Sequence, residues 1–165
     1  SAAFAALEEL AGVLPLSLGE VKRGLTGVRL PGRLQVLPGR PAVVLDVAHN
    51  PHAARALSEG LAGMGYARET FAVFAMLGDK DIDGVISAIA PRIDRWYVAT
   101  LASERAAPVE RIAGLLDARG LGESVRGFAS VPLAYEAALR DAGPDDRILV
   151  FGSFLTVADV LRLPR

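Results

Sequence analysis

Apolar residues recur along this chain in two rhythms, and the change between them falls near residue 30. In the first stretch Phe4, Leu7 and Leu10 sit at helical spacing. Ser17 followed by Glu20 is a capping-box pattern that predicts a second helix through about Thr26. From Pro31 onward, short runs rich in β-branched and aromatic residues alternate with helical segments. The predicted strands cover 34–37, 42–47, 70–76, 95–99, 124–128 and 147–151, and the predicted helices 51–64, 82–93, 108–119, 131–141 and 154–163. Leu57, Leu61 and Met64 form one apolar stripe, Val85, Ile86 and Ile89 another, and Val157, Val160 and Leu161 a third. Strands alternating with one-sided helices predict an α/β fold: a Rossmann-like, doubly wound, mostly parallel sheet with helices on both faces. The stretch 27–32, punctuated by Gly27, Pro31 and Gly32, is the expected joint between the two parts.

Composition narrows the class. At 165 residues, with 52% apolar and 22% charged residues, the chain can bury a sizeable core and is excluded from the disordered class. The formal net charge is −1, and no basic stripe or acidic tail points to nucleic acid or a membrane surface as partner. No apolar run approaches the roughly 18 residues needed to cross a bilayer. Cysteine is absent, which rules out disulfides and thiolate metal sites and agrees with a cytoplasmic location. Ser1-Ala2-Ala3-Phe4 is neither an initiator methionine nor a signal peptide, so the chain is expected to begin mid-protein.

In open parallel sheets ligands gather at the carboxyl ends of strands, and the candidate polar groups fall there. Asp46, His49 and Asn50 follow one predicted strand, Asp79-Lys80-Asp81 the next, Ser103-Glu104-Arg105 a third, and Gly152-Ser153 the last. Each has a plain structural alternative. Asn50-Pro51 reads as an N-cap and first helical residue. A carboxylate ending an apolar strand must be paired or hydrogen-bonded, so Asp46 either accepts from a ribose hydroxyl or braces its own loop. His49 is divided between bracing the turn and touching a ligand, and His52 is expected to face solvent. The two histidines lack the extra carboxylate or cysteine of a zinc site. Lys80, one of two lysines against 16 arginines, either meets a phosphate or carboxylate or sits in a solvated helix start. Gly152-Ser153 can offer backbone N–H groups to an anion while Ser153 caps the last helix. No G-x-x-x-x-G-K-[ST] loop is present, and Gly60, Gly63 and Gly65 read as a helix end rather than a dinucleotide fingerprint.

Leu30-Pro31-Gly32-Arg33-Leu34-Gln35, Asp46-Val47-Ala48-His49-Asn50-Pro51-His52-Ala53-Ala54, Met76-Leu77-Gly78-Asp79-Lys80-Asp81 and Gly152-Ser153-Phe154-Leu155-Thr156-Val157 occur in that order. Together they resemble the C-terminal domain of the dihydrofolate synthase/folylpolyglutamate synthase family, within the Mur ligase superfamily. The resemblance covers the chain from about Arg23 to its end. It implies that 1–28 is the tail of a preceding ATP-binding domain with its linker helices, and that 29–165 is a Mur ligase-type α/β domain. The P-loop, the Mg2+ ligands and much of the folate site then belong to the N-terminal domain, with no metal ligand expected on this chain.

The resemblance also implies roles. Arg33 and Asp46 contact ATP as the domains close about 27–32, Asp46 through the ribose, and Lys80 joins them as a nucleotide-binding candidate. His49 and Ser153 are the candidate catalytic residues, lining the cleft where nucleotide and L-glutamate meet. The implied partners are ATP, Mg2+, L-glutamate and dihydropteroate or folate, in an enzyme that is monomeric at full length and inactive as this chain alone. Replacing Asp46 by Ala is expected to weaken ATP use and leave the fold intact. Two alternatives stand beside this one. A peptidoglycan amino-acid ligase of the same superfamily shares Asp-x-Ala-His-Asn-Pro but usually carries Tyr where this chain has Val47, and a free-standing nucleotide-binding module would use the same fold.

Overall fold

The computed structural model describes residues 2–10, 12–13, 17–27 and 30–164, and the chain packs as two compact units, Ser1–Leu30 and Pro31–Arg165. The first unit holds α1 (Ala2–Glu9) and α2 (Leu18–Gly27). The capping box at α2 is formed: Glu20 N–H donates to Ser17 Oγ at 3.3 Å, and Ser17 N–H donates to Glu20 Oε2 at 2.8 Å. Hydrogen bonds from Ser17 hold the Glu20 carboxyl below the usual carboxylate range. Val28 and Arg29, inside the expected joint, and the side chain of Phe4 lie outside the described residues.

The second unit runs β1 (Gln35–Leu37), β2 (Ala42–Leu45), α3 (Pro51–Gly63), β3 (Thr70–Phe74), α4 (Ile82–Ile89), β4 (Arg95–Ala99), α5 (Val109–Asp117), β5 (Val125–Phe128), α6 (Val131–Asp141), β6 (Arg147–Phe151) and α7 (Phe154–Leu161). The strands form one sheet in the order β1-β2-β6-β3-β4-β5. All neighbours are parallel except β1, which runs antiparallel to β2. The reason is length: four residues separate Leu37 from Ala42, enough for a hairpin and far too few for a parallel crossover.

Strand alternation sorts the core into two layers. Val44, Leu149, Ala72 and Trp96 lie in register across four strands and face a cluster with Leu57, Leu61, Ile82, Ile86, Ile112 and Leu116 from α3, α4 and α5. Val43, Ile148, Phe71 and Tyr97 face the opposite side, against Val131, Ala134, Ala138, Val157 and Val160 from α6 and α7. Helices thus cover both faces, as the alternating pattern predicts. The expected helix 82–93 is interrupted: α4 ends at Ile89 and a 3-10 turn covers Ala90–Arg92, because Pro91 has no N–H with which to continue the ladder. A second short 3-10 turn, Gly122–Ser124, leads into β5 and carries no apolar period that would announce it.

The amino ends of the two central strands are tied by one acid. The Asp146 carboxylate is fully buried and accepts from Arg68 Nε and Nη2 at 3.0 and 2.9 Å, from Glu69 N–H at 3.2 Å and from Gly143 N–H at 2.7 Å. Burial pushes this carboxyl up, but the Arg68 guanidinium and the two backbone donors outweigh it and hold it below the ordinary aspartate value. A carboxyl whose folded value is depressed contributes stability above its unfolded value, near pH 4, and loses that contribution as pH falls through the folded value. Replacing Asp146 by Asn should cost about 1–3 kcal/mol at pH 7. In urea titrations the gap between the two proteins should narrow as pH drops below about 4; a pH-independent gap would show that the charge is not what matters.

Candidate functional site

Pairing along β2 stops at Leu45, yet Asp46 N–H still donates to Val150 O of β6 at 3.0 Å. The next residue leaves the sheet: Val47 N–H donates to Gly32 O at 2.9 Å. This clasp brings the segment before β1 over the carboxyl end of β2. Gly32 has φ +66° and lies so close that an added Cβ would stand 2.9 Å from Val47 Cγ1, so only glycine suits the position. Its N–H donates to Gln35 Oε1 at 2.9 Å.

Leu34 also has a positive φ, 42°, a conformation that costs any side chain with a Cβ. Two contacts hold it there. Its N–H donates to Asp46 Oδ2 at 2.8 Å, and its side chain lies on α3 at Gly60, where a Cβ would stand 3.0 Å from Leu34 Cδ2. Asp46 Oδ1 accepts from Ala48 N–H at 2.8 Å. The nearly buried Asp46 carboxylate therefore grips both loops at once, and the loop-bracing role weighed from the sequence is the one these hydrogen bonds display. Arg33, between Gly32 and Leu34, has its backbone fixed from both sides.

From Val47 the chain turns into α3 as expected. Asn50 caps the helix, its Oδ1 accepting from Ala53 N–H at 2.9 Å, and Pro51 opens it. His49 sits on the turn with Nδ1 2.9 Å from Val47 O. Opposite a carbonyl the ring nitrogen must be the donor, so in the neutral ring Nε2 is the nitrogen with a free lone pair. Arg33, Asp46, His49 and Asn50 line a cleft of about 430 Å3 whose remaining wall is apolar: Leu34, Ala53, Ala56 and Leu57. A larger concavity of about 580 Å3 opens at the amino ends of the strands, next to Arg40, Arg68, Asp145 and Asp146. There Arg40 is paired with Asp145 and Arg68 with Asp146, and ligands of open parallel sheets favour the other end, so the smaller cleft is the candidate site.

Of the five residues singled out from the sequence, the structure thus gathers Arg33, Asp46 and His49 around one cleft. Lys80 and Ser153 stand on neighbouring loops and are not among the residues lining it. Lys80 Nζ lies 3.5 Å from Asp79 Oδ2, which also accepts from Arg105 Nη2 at 2.5 Å. The hydrogen bond from Arg105 holds the Asp79 carboxyl below its usual value. Ser153 is buried at the N-cap of α7, its Oγ accepting from Leu155 N–H at 3.2 Å. The turn before it is tight: Gly152 has φ +113°, and a Cβ there would stand 2.5 Å from Ala75 O.

Sequence reasoning gave no role to Phe154. This ring lies 6.4 Å from the His49 ring and 5.4 Å from Arg33 Cζ. The available signal was a large apolar residue at the first position of a helix, outside the stripe formed by Val157, Val160 and Leu161. Among the described residues no group of three or more His, Cys, Asp or Glu is arranged to hold a metal ion.

Asparagine at position 46 has one acceptor oxygen and cannot serve the N–H groups of both Leu34 and Ala48. Replacing Asp46 by Asn should cost about 1–3 kcal/mol in denaturant titrations and speed hydrogen exchange at Leu34. The two hydrogen bonds thus add a stability cost to the expectation that replacing Asp46 by Ala weakens ATP use with the fold intact. Unchanged exchange at Leu34 would show that the clasp does not depend on the charge.

Comparison with known proteins agrees with this architecture. A family model described as Mur ligase, glutamate ligase domain, matches residues 32–154. Dihydrofolate synthase/folylpolyglutamate synthase of Escherichia coli (strain K12) is 40% identical over 161 residues, covering 98% of this chain and 36% of that protein. The structure of E. coli FolC in complex with DHPP and ADP superposes with a TM-score of 0.83 at 39% identity, over 96% of this chain and 36% of that one. The bifunctional folylpolyglutamate synthase/dihydrofolate synthase with Mn, AMPPNP and L-glutamate bound superposes at 0.80 with 42% identity, over 90% of this chain and 35% of that one. The chain spans about a third of the length of the curated relatives it matches. A sheet of this topology, a family match from Gly32 to Phe154 that takes in all six strands but only the first residue of α7, and identity of this level over nearly the full chain lead to one assignment: the chain belongs to the Mur ligase family, as its glutamate ligase domain.

Proposed function

We propose that this chain is the C-terminal part of an ATP-dependent ligase that adds L-glutamate to dihydropteroate, to folates or to both, with 1–28 the tail of a preceding ATP-binding domain and 29–165 the Mur ligase-type domain. The observation that carries this reading is the convergence of Arg33, Asp46 and His49 at the carboxyl end of β2, in a domain whose structural relatives include complexes with ADP and with AMPPNP, Mn and L-glutamate. The reaction transfers the γ-phosphoryl group of ATP to the substrate carboxylate, giving an acyl phosphate and ADP. The glutamate amine then attacks the acyl carbon, the C–O bond to phosphate breaks, phosphate departs, and the amine loses a proton as the amide forms.

This chain's part in that reaction is to complete a site. The Arg33 guanidinium supplies positive charge at the phosphates. Each Asp46 oxygen has one backbone donor, which leaves acceptor capacity for a ribose hydroxyl. His49 offers Nε2, and Ser153 opens α7 beside Phe154. Lys80, exchanging its loose contact with Asp79 for a carboxylate or phosphate, would act from the adjacent loop. Bound Mg2+ would neutralise phosphate charge, and its ligands are assigned to the preceding domain. Closure about 27–32 would bring Arg33 and Asp46 onto nucleotide and exclude the water that hydrolyses acyl phosphates. The full-length enzyme is expected to be a cytoplasmic monomer without nucleic-acid or membrane partners; among the described residues no helix is long and apolar enough to cross a membrane. The peptidoglycan alternative is disfavoured by Val47, which is buried against Gly32 where a tyrosine ring would displace the clasp.

Phosphate release from the full-length protein, assayed with dihydropteroate, tetrahydrofolate and muropeptide acceptors, tests the reading. Release should require ATP, L-glutamate and a pteroate or folate; release with muropeptide alone would overturn it. Replacing Arg33 by Ala should lower kcat/KM for ATP by about 100-fold or more. The 165-residue chain by itself should support no ATP-dependent ligation.

A further inference from the structure

We propose that Phe154 is a positioning residue for Arg33: its ring is a shelf that holds the guanidinium at the rim of the cleft, ready for phosphate. This rests on the reading of Arg33 as a nucleotide contact. Phe154 is 60% exposed, although the neighbouring Thr156, Val157 and Val160 of the same helix are buried. Its ring belongs to neither core layer. What it does touch is functional: Arg33 Cζ lies 5.4 Å from the ring centroid and the His49 ring 6.4 Å away. Among the described residues Arg33 has no ion pair or side-chain hydrogen bond, so the ring is its one specific contact.

The arrangement has a physical logic. The backbone of Arg33 is fixed by Gly32 and Leu34, both at positive φ, but that leaves a long side chain free to wander. A carboxylate partner would hold the tip and also neutralise it, and a phosphate would have to displace it. An aromatic face restrains a cation weakly while leaving its charge and its donors available. The shelf itself is rigid. Gly152 packs 2.5 Å, measured from an added Cβ, from Ala75 O, and Thr156 Oγ1 donates to that same carbonyl at 2.8 Å. The start of α7 is thereby fastened to the central strands, so the orientation of the guanidinium is set by the sheet.

The test is a double-mutant cycle in the full-length ligase, with ATP varied and L-glutamate and acceptor saturating, alongside thermal melts. Replacing Phe154 by Leu keeps the apolar bulk and removes the π face. It should leave Tm unchanged, lower kcat/KM for ATP about two- to fivefold, and have no further effect once Arg33 is Ala. Replacing Phe154 by Tyr should keep full activity. Wild-type kinetics in Phe154→Leu, a defect in Phe154→Tyr as large as in Phe154→Leu, or losses that multiply with the Arg33→Ala loss would overturn the proposal; the last would mean that the ring serves another contact, such as the preceding domain. If Arg33→Ala alone leaves ATP use unchanged, the reading of Arg33 fails, and the shelf has nothing to present.

Discussion

The Asp46 carboxylate is the constraint on which the candidate site depends. A buried anion at the end of an apolar strand has to be satisfied, and among the described residues its partners are backbone donors: Leu34 N–H on one oxygen and Ala48 N–H on the other. Those two bonds do opposite work along the chain. One holds the turn that leads from β2 into α3 and so sets His49 and Asn50. The other keeps Leu34 in a left-handed conformation and so sets Arg33. A single ionised side chain thus fixes the relative placement of two segments 12 residues apart, and any ligand contact that Asp46 makes is made by a group already held at both ends.

The two ends of the sheet use charge differently. At the amino ends, Asp146 is saturated by Arg68 and two N–H groups, and Arg147 is spent on the carbonyl of Gly65 at 2.6 Å. At the carboxyl end Lys80 and Arg105 share Asp79, but among the described residues Arg33 leans on a ring without a counter-ion, and His49 keeps one nitrogen uncommitted. Saturated charge stabilises a fold, whereas uncommitted charge beside a cleft is available to a ligand. That contrast, rather than cavity size, selects the candidate site, since the larger concavity lies at the saturated end.

Much of this was legible in the sequence, for identifiable reasons. The sheet and its two helical layers follow from period-2 and period-3.6 patterns, because both faces are buried and each strand contributes to both layers. Ser17-Glu20, Asn50-Pro51 and Ser153 are local chemistry and formed as local chemistry dictates. The antiparallel β1 escaped the parallel pattern because its direction is set by connection length. The left-handed Leu34 was unreadable, since leucine is among the residues least suited to that conformation and the compensation comes from Asp46 and Gly60, far along the chain. Lys80 and Ser153 were grouped with the others by strand-end position, which says which rim they share but not which cleft they line. Phe154 was not legible because its position outside the stripe of its helix says that it is exposed but not that Arg33 and His49 lie beside it.

The central claim is that Arg33 and Asp46, locked together by the Asp46 clasp, meet nucleotide from this side of the site. A crystal structure of the full-length protein with a non-hydrolysable ATP analogue and Mg2+ tests it most directly. The account predicts the Arg33 guanidinium within hydrogen-bonding distance of a phosphate oxygen and an Asp46 oxygen on the ribose, with the bonds to Leu34 and Ala48 retained. A nucleotide bound entirely by the preceding domain of a closed enzyme, with Arg33 and Asp46 touching neither phosphate nor ribose, would contradict it.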